Sequence, residues 1–317
     1  MEINFLEENR FTEKPMEENP QEEAFASDWE VLLNNHTGVA WELLRYMFVE
    51  LSFPVASGQS NNPEFLAALK RGVLPINKEA WVPSCPNGFK VYLHSTLAGR
   101  LPVIECEAEQ DFVHLHQSLV CRNEPCHVPD SRGATIVKNY NNWARVNMHK
   151  SPEGGIPKYP NLYRDYIALL SYRNYSGIPA QAFGLTSIEW KQKSLILRRE
   201  HEAAHYMTQR FYHCAKNSLH DEIIADFMGL TAAFEEYEPD KFLTFLGLEG
   251  YPAYRQGGRL EIYLPTNSEG FVEACKAVNQ AAKNIAHYYK KTGNNRLKMF
   301  HTLCRTSVAD MERGNFA

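Results

Sequence analysis

Apolar residues recur with two different periods along the chain. Short apolar runs over 89–93 and 102–104, each bounded by Gly or Pro, predict β-strands, and Ile-Ala-Leu-Leu at 167–170 predicts a further buried strand. Elsewhere apolar residues recur every three or four positions, which predicts helices. The helices are expected over 29–48 with a break near Asn34 and Gly38, and over 63–71, 111–120, 219–233, 241–248, 269–290 and 294–311.

One long helix is expected to begin at Thr186 or Ser187, either of which can cap it. The whole pattern predicts an α+β fold. A mixed N-terminal part with a small sheet is expected over 29–185, and a mainly helical part that binds metal and performs catalysis over 186–317.

Residues 1–28 contain nine acidic and two basic residues, together with Pro15 and Pro20. Such a composition predicts a mobile acidic arm. Four apolar residues could tether it to the rest of the protein: Phe5, Leu6, Phe11 and Phe25.

Residues 121–161 are rich in Pro, Asn and Gly, and no regular element is predicted there. Long irregular segments in compact proteins are commonly functional. One hypothesis is that the segment lines a substrate cleft in which Arg132 or Arg145 binds a carboxylate. The alternative is a structural cover packed by Tyr140 and Trp143.

The composition narrows the class of protein. The chain has 317 residues, of which 44% are hydrophobic and 22% charged, as in soluble globular proteins. A net charge of −5 gives no basic surface for nucleic acid. The N-terminus lacks a basic start and an apolar core of a signal peptide, and no apolar run is long enough for a membrane span. We therefore expect a cytoplasmic protein with neither nucleic acid nor membrane as partner.

Seven cysteines are scattered along the chain, and their odd number together with the expected cytoplasmic location predicts reduced thiols. The spacing of Cys121, Cys126 and His127 is reminiscent of a metal motif. Because it lacks a second paired half, a metal role is not favoured there.

The candidate chemistry lies in 198–229, which contains HEAAH at 201–205 and DEIIAD at 221–226. On a helix, His201 and His205 present two imidazoles on one face, and Glu202 lies about 100° round the helix beside them. Two neutral imidazoles suit Zn²⁺, and the adjacent carboxylate suits activation of water.

A catalytic zinc site needs a third protein ligand and one open position. Glu222 is the candidate, on a second helix that follows a polar break at 216–218. Asp226 lies one turn later on the same face, among apolar neighbours. Two carboxylates in such surroundings need a cation or donors. A metal for Glu222, and a ligand histidine's N–H for Asp226, would satisfy both.

The alternative interpretation of HEAAH is a solvated helix face without a metal, since HExxH also occurs by chance. The second motif on an apolar helix favours the metal site. Together the two motifs resemble those of the gluzincin zinc metallopeptidases. That resemblance implies that His201, His205 and Glu222 bind Zn²⁺, that Glu202 is the catalytic general base, and that Asp226 holds a ligand histidine.

One departure from the gluzincin pattern is a slightly shorter interval between His205 and Glu222 than in thermolysin-like members. The groups that stabilise the oxyanion therefore cannot be carried over. Residues 251–264 are the nearest segment after the two motifs with hydrogen-bond donors that could stabilise an oxyanion. Within this segment, Tyr254 and Arg259 are the candidates for contacting substrate.

A wider resemblance rests on RNEPCHVPDSRGA at 122–134, NNWARV at 141–146, SLILRREHEAAHYMT at 194–208 and DEIIADFMGL at 221–230. These segments together are similar to a family of uncharacterised bacterial proteins with a domain of unknown function. The resemblance covers most of the chain and implies no activity of its own.

The favoured prediction is a zinc-dependent hydrolase, most simply a metallopeptidase that cleaves a peptide or another amide. One alternative is a non-haem di-iron or manganese oxidoreductase that uses Glu202, His205, Glu222 and Asp226. Such a centre normally has two Glu-x-x-His segments, and the sequence shows one here. The other alternative is a catalytically inactive metal-binding protein.

Overall fold

The computed structural model describes residues 6–7, 11, 15–16, 18, 20–74, 81–150, 155–214, 218–293 and 295–316. The protein is α+β, as predicted. Its chain forms two compact units. The sheet unit comprises Gln21–Arg173, and the helical unit comprises Met1–Pro20 together with Asn174–Ala317. The boundaries predicted from the sequence, at residues 28 and 185, differ from these.

The sheet unit contains four strands in the order β1-β2-β4-β3. Their bounds are β1 (Phe89–Thr96), β2 (Gly99–Cys106), β3 (Ala134–Asn141) and β4 (Arg164–Ser171). Strands β1 and β2 form an antiparallel hairpin, β2 and β4 are parallel, and β3 and β4 are antiparallel. The runs at 102–104 and 167–170 are buried throughout, as expected for the two strands in the middle of the sheet.

In the described part of this unit the α-helices are α1 (Ala24–Asn35), α2 (Ala40–Met47), α3 (Pro63–Arg71), α4 (Glu109–Leu119) and α5 (Trp143–His149). The predicted break after Asn35 is confirmed by the gap between α1 and α2. Helix α3 has the predicted bounds, because Asn62 caps its start and Gly72 ends it with φ of 63°. Helix α1 contacts β1 and β2, and α4 contacts β2, β3 and β4.

Helix α1 begins at Ala24, so the predicted start at residue 29 is five residues too late. The buried side chains of Phe25 and Trp29 give α1 an apolar face that starts before Asp28. The Asp28 carboxylate accepts hydrogen bonds from Arg145 at 2.8 Å and His149 at 2.7 Å.

The segment 121–161 is more regular than predicted, because β3 and α5 lie within it. Asn142 caps α5. Trp143 and Val146 of this helix pack in a hydrophobic cluster with Phe53 and Phe65. This environment favours the interpretation of a structural cover packed by Trp143. Residues 151–154 lie outside the described part of the chain.

Two of the seven cysteines are paired, which corrects the prediction of reduced thiols throughout. Cys121 and Cys126 form a disulfide in the loop that follows α4. The other five cysteines are free thiols in this structure.

The helical unit consists of α6 (Ser187–Tyr212), α7 (Leu219–Phe234), α8 (Pro239–Leu246), α9 (Leu260–Tyr263), α10 (Phe271–Lys291), α11 (Arg296–Arg305) and α12 (Val308–Arg313). The final predicted helix is divided in two. Thr306 adopts an extended conformation, and the Ser307 hydroxyl caps a new helix by accepting from the Asp310 amide at 3.1 Å. No helix among the described residues has the length and apolar composition that crossing a bilayer requires.

Helix α6 starts where the sequence predicted. Thr186 and Glu189 form a reciprocal capping box, in which each side chain accepts from the other residue's amide. One turn into the helix, the buried Trp190 indole donates to the Ile178 carbonyl at 2.6 Å. This hydrogen bond holds the segment 174–185 against α6.

Helices α6 and α7 pack closely along each other. Gly229 permits this, because a Cβ there would lie 2.8 Å from the Leu197 carbonyl oxygen. Ile223, Ile224 and Phe227 of α7 are fully buried, and each such side chain contributes about 1.5–3 kcal/mol to folding. Of the polar break predicted at 216–218, residues 216 and 217 lie outside the described part, and Ser218 directly precedes α7.

The acidic segment 1–28 is only partly described. Three of the apolar residues expected to tether it, Leu6, Phe11 and Phe25, are buried. The Phe11 ring lies 5.5 Å from the ring of Tyr212. The Phe11 amide also donates to the Cys304 carbonyl at 2.9 Å. These contacts hold Phe11 against the helical unit. Phe5 lies outside the described residues.

Candidate metal centre

Helix α6 brings two imidazoles together. His201 and His205 are one turn apart, and their Nε2 atoms lie 3.1 Å from each other. The two rings are nearly perpendicular, at 82°. His201 is buried, and His205 is partly buried.

Helix α7 adds a carboxylate. Glu222 Oε2 lies 3.5 Å from His201 Nε2, and Glu222 Oε1 lies 3.6 Å from His205 Nε2. A tetrahedral zinc ion with bonds of 2.0–2.2 Å places neighbouring ligand atoms roughly 3.3–3.5 Å apart. The three donor atoms therefore fit a zinc ion with little adjustment, and they leave a fourth position for another ligand.

The other nitrogen of each histidine faces a carboxylate. His201 Nδ1 lies 3.0 Å from Asp226 Oδ1, and His205 Nδ1 lies 2.9 Å from Asp221 Oδ2. Each carboxylate accepts an N–H bond, so the Nδ1 atoms carry hydrogen and the Nε2 lone pairs point at the common centre. This arrangement fixes both imidazoles in the tautomer that binds metal.

The carboxylates around His205 change its acidity. Burial on its own lowers the pKa of His205, but Asp221, Glu222 and Glu202 reverse this and raise it to about 10. Without a metal, the imidazole therefore holds a proton at neutral pH. A cation bound there would replace that proton.

Asp226 is the centre of a buried polar network. Its carboxylate accepts from the Tyr175 hydroxyl at 2.6 Å and forms an ion pair with Arg259. The same hydroxyl lies 2.8 Å from His201 Nδ1. Burial raises the pKa of Asp226, but Arg259 and His201 outweigh it, so the pKa lies below its usual range. Asp226 is therefore held as a carboxylate.

Tyr175 is fixed between two cations. The guanidinium of Arg198 lies 5.7 Å from the centre of its ring, and that of Arg259 lies 5.3 Å from it. Arg259 also donates to the Tyr175 hydroxyl at 3.2 Å. Burial and the neighbouring Asp226 raise the pKa of Tyr175, so it stays a neutral phenol.

Glu202 lies beside the three donors. It is buried, and burial raises its pKa, while His201 and His205 act in the opposite direction. Glu222 adds a second negative charge nearby. A carboxylate with a raised pKa can accept a proton and return it near neutral pH.

The predicted substrate residues have different surroundings. Arg259 is near the site, but its guanidinium is ion-paired with Asp226. The Tyr254 hydroxyl donates to the Gly258 carbonyl at 2.7 Å and stabilises the turn before α9. Neither side chain is free to bind a substrate in this arrangement.

The two candidate arginines, Arg132 and Arg145, belong to the sheet unit. Arg145 is fully buried, and its guanidinium donates to Asp28 and Asp165. A substrate carboxylate would have to displace one of them, so the predicted anchoring role is not supported by this environment. Arg132 is exposed, and its backbone carbonyl accepts from Arg173 at 3.2 Å.

Three residues at the site had no role in the sequence prediction of the metal ligands and their partners. Asp221 precedes Glu222, and its role could have been inferred from the need of His205 for an Nδ1 acceptor. Tyr263 lies within 251–264, the segment expected to supply donors, and its hydroxyl is hydrogen-bonded to Glu222. Tyr175 is 26 residues from His201, and no local spacing signals it.

The fold and the site together define an α+β protein whose helical unit carries a candidate metal centre of two histidines and one glutamate. The chain belongs to a family of unknown function, DUF7005, whose model matches residues 1–314. This match confirms the expected membership of an uncharacterised family. No match was found among curated proteins or solved structures. The relationship to gluzincins stays a prediction.

Proposed function

We propose that the protein is a zinc-dependent hydrolase that cleaves a peptide or another amide bond. One observation carries the proposal: three converging donors are present, and each histidine donor is held by its own carboxylate. Two imidazoles and one carboxylate are a donor set typical of catalytic zinc, whereas structural zinc sites are closed by four protein ligands.

When bound at His201, His205 and Glu222, zinc would supply Lewis acidity and lower the pKa of a water molecule in its open position. Glu202 would accept a proton from the attacking water and deliver it to the leaving nitrogen. Burial raises the pKa of Glu202, which makes this carboxylate a stronger proton acceptor.

Tyr263 supplies the best-placed donor for a developing oxyanion. Its hydroxyl is partly buried and hydrogen-bonded to Glu222, so it lies at the edge of the donor cluster. Burial and the Glu222 charge raise its pKa, which keeps the hydroxyl protonated and able to donate. The prediction of an oxyanion donor within 251–264 is retained with Tyr263 in that role.

A di-iron or manganese centre is less well supported. It would need Asp226 as a metal ligand, and both Asp226 oxygens already accept hydrogen bonds from Tyr175, His201 and Arg259. Freeing Asp226 would leave the buried cation Arg259 without its partner.

The direct test compares Glu202→Gln with the wild type in a peptide-library cleavage assay. Gln keeps the shape but cannot accept the proton, so turnover is expected to fall by about 10²–10⁴-fold while zinc is retained. Tyr263→Phe is expected to lower kcat, also with zinc retained. Full activity of Glu202→Gln would refute the mechanism. Zinc binding without cleavage by the wild type would favour an inactive metal-binding protein.

A further inference from the structure

The sheet unit holds a second cluster of metal-binding side chains. It consists of Cys121, Cys126 and His116, whose donor atoms lie within 4.8 Å of one another. His116 Nδ1 lies 3.9 Å from each of the two sulfur atoms. The imidazole is 2% exposed, and its other nitrogen has no hydrogen-bond partner among the described residues. Among the described residues, the imidazole makes its hydrogen-bonding contacts with the two cysteines.

The loop that joins the two cysteines is held in a fixed shape. Arg122 and Asn123 both have positive φ, of 54° and 59°, which non-glycine residues seldom adopt. The buried Asn123 side chain donates to the carbonyls of Glu50 at 3.0 Å and Phe53 at 3.1 Å. Such a conformation persists only where its surroundings determine it.

The far end of the loop is also anchored. Gln117, on α4, donates from its side chain to the Cys126 carbonyl at 2.8 Å. The Cys121 amide donates to the His116 carbonyl at 3.3 Å. Both cysteines are partly exposed, so reagents can reach the sulfur atoms. The three side chains therefore form a built, accessible cluster at the end of α4.

We propose that reduction of the Cys121–Cys126 disulfide creates a metal site for a borderline or soft ion such as Zn²⁺. An external dithiol supplies the two electrons and becomes a cyclic disulfide, while the protein disulfide becomes two thiols. On binding the ion, the two thiols release their protons to solvent, and His116 Nδ1 donates its lone pair. The oxidised form lacks thiolates and does not bind the ion, which makes the site redox-dependent.

The geometry suits this ion. Tetrahedral zinc places a thiolate sulfur and an imidazole nitrogen roughly 3.6 Å apart, and two thiolate sulfurs roughly 3.8 Å apart. His116 Nδ1 is already close to the first distance. Breaking the disulfide allows the sulfurs to separate to the second. Two thiolates and one imidazole leave one coordination position for water or an external ligand.

The test is a cobalt(II) titration of the full-length protein. The protein is reduced with a dithiol, the dithiol is removed under anaerobic conditions, and thiolate-to-cobalt charge transfer is followed in the near ultraviolet. The centre formed by His201, His205 and Glu222 has no thiolate, so it does not contribute to this band. We expect about one thiolate-bound cobalt in the reduced protein and none in the oxidised protein.

Four variants complete the experiment. Cys121→Ser and Cys126→Ser should each abolish the thiolate-to-cobalt band of the reduced wild type. The control, Cys85→Ser, removes a partly exposed free cysteine of the same unit and should leave this band unchanged. His116→Asn should weaken cobalt binding by more than about tenfold. Circular dichroism checks that each variant is folded, and the two cysteine variants carry the test if His116→Asn is not.

Three results would overturn the proposal. The first is the absence of a thiolate-to-cobalt band in the reduced wild type. This result would count against the site even if the disulfide exchanges readily with thiols. The second is a band of equal strength in Cys126→Ser. The third is equal cobalt affinity in folded His116→Asn, which would remove the histidine from the site.

Discussion

Replacing Asp226 by Asn should destabilise the helical unit far more than replacing Asp221 by Asn. Both carboxylates hold a ligand histidine, but only Asp226 also neutralises Arg259 and accepts from the Tyr175 hydroxyl. The Asn variant leaves the side chain of Arg259, which is only 12% exposed, without its counter-charge, which costs about 3–5 kcal/mol. Asp221 accepts a bond at 2.9 Å from the partly exposed His205, and the loss of this bond should cost about 1–3 kcal/mol.

Hydrogen exchange of the α6 and α7 amides in metal-free protein is the suitable assay. The chain has two compact units, so a single unfolding curve would not report on this one alone. Each 1.36 kcal/mol corresponds to a tenfold change in the opening equilibrium. The most protected amides should therefore exchange roughly 10²–10⁴-fold faster in Asp226→Asn.

The ion pair itself is tested by a second substitution. Arg259→Met in the Asp226→Asn background removes the unpaired cation, and we expect it to recover a large share of the lost protection. Equal protection loss in Asp226→Asn and Asp221→Asn, with no recovery in the double variant, would refute the reasoning.

Two further predictions concern the proton on His205. Its pKa is raised in the folded metal-free protein, so the stability it contributes is complete below about pH 6.5 and is lost as the pH rises toward 10. Chelated protein should lose stability over that range in thermal unfolding, and zinc-loaded protein should lose less; a steeper loss with zinc would contradict this. At pH 8, zinc should displace about one proton from His205, whereas Asp221→Asn should release fewer. Calorimetry in buffers of different ionisation enthalpy measures the difference, and equal proton release would exclude the raised pKa.

Much of the fold could be predicted because its signals are local. Thr186 was one of two residues expected to cap the long helix, and it does so. The fully apolar run at 167–170 indicated a buried strand. The prediction that 121–161 contains no regular element was wrong because its structure depends on contacts that are not local. Strand β3 reads as polar, and its pairing with β4 depends on residues about 30 positions away.

The candidate donors could also be predicted, because HExxH places two imidazoles by helix geometry alone. The surrounding network could not. Arg259 was expected to contact substrate, since a lone arginine in a loop gives no indication of a buried partner. Its pairing with Asp226 arises from tertiary packing across 33 residues, and so does the position of Tyr175.

The central claim is that His201, His205 and Glu222 hold one zinc ion. Elemental analysis of purified Cys126→Ser protein, beside the same protein carrying His205→Ala, tests it most directly, because the serine removes the second cluster from the count. We expect about one zinc per chain that is lost with His205. Absence of metal, zinc that persists without His205, or two irons per chain would contradict the account.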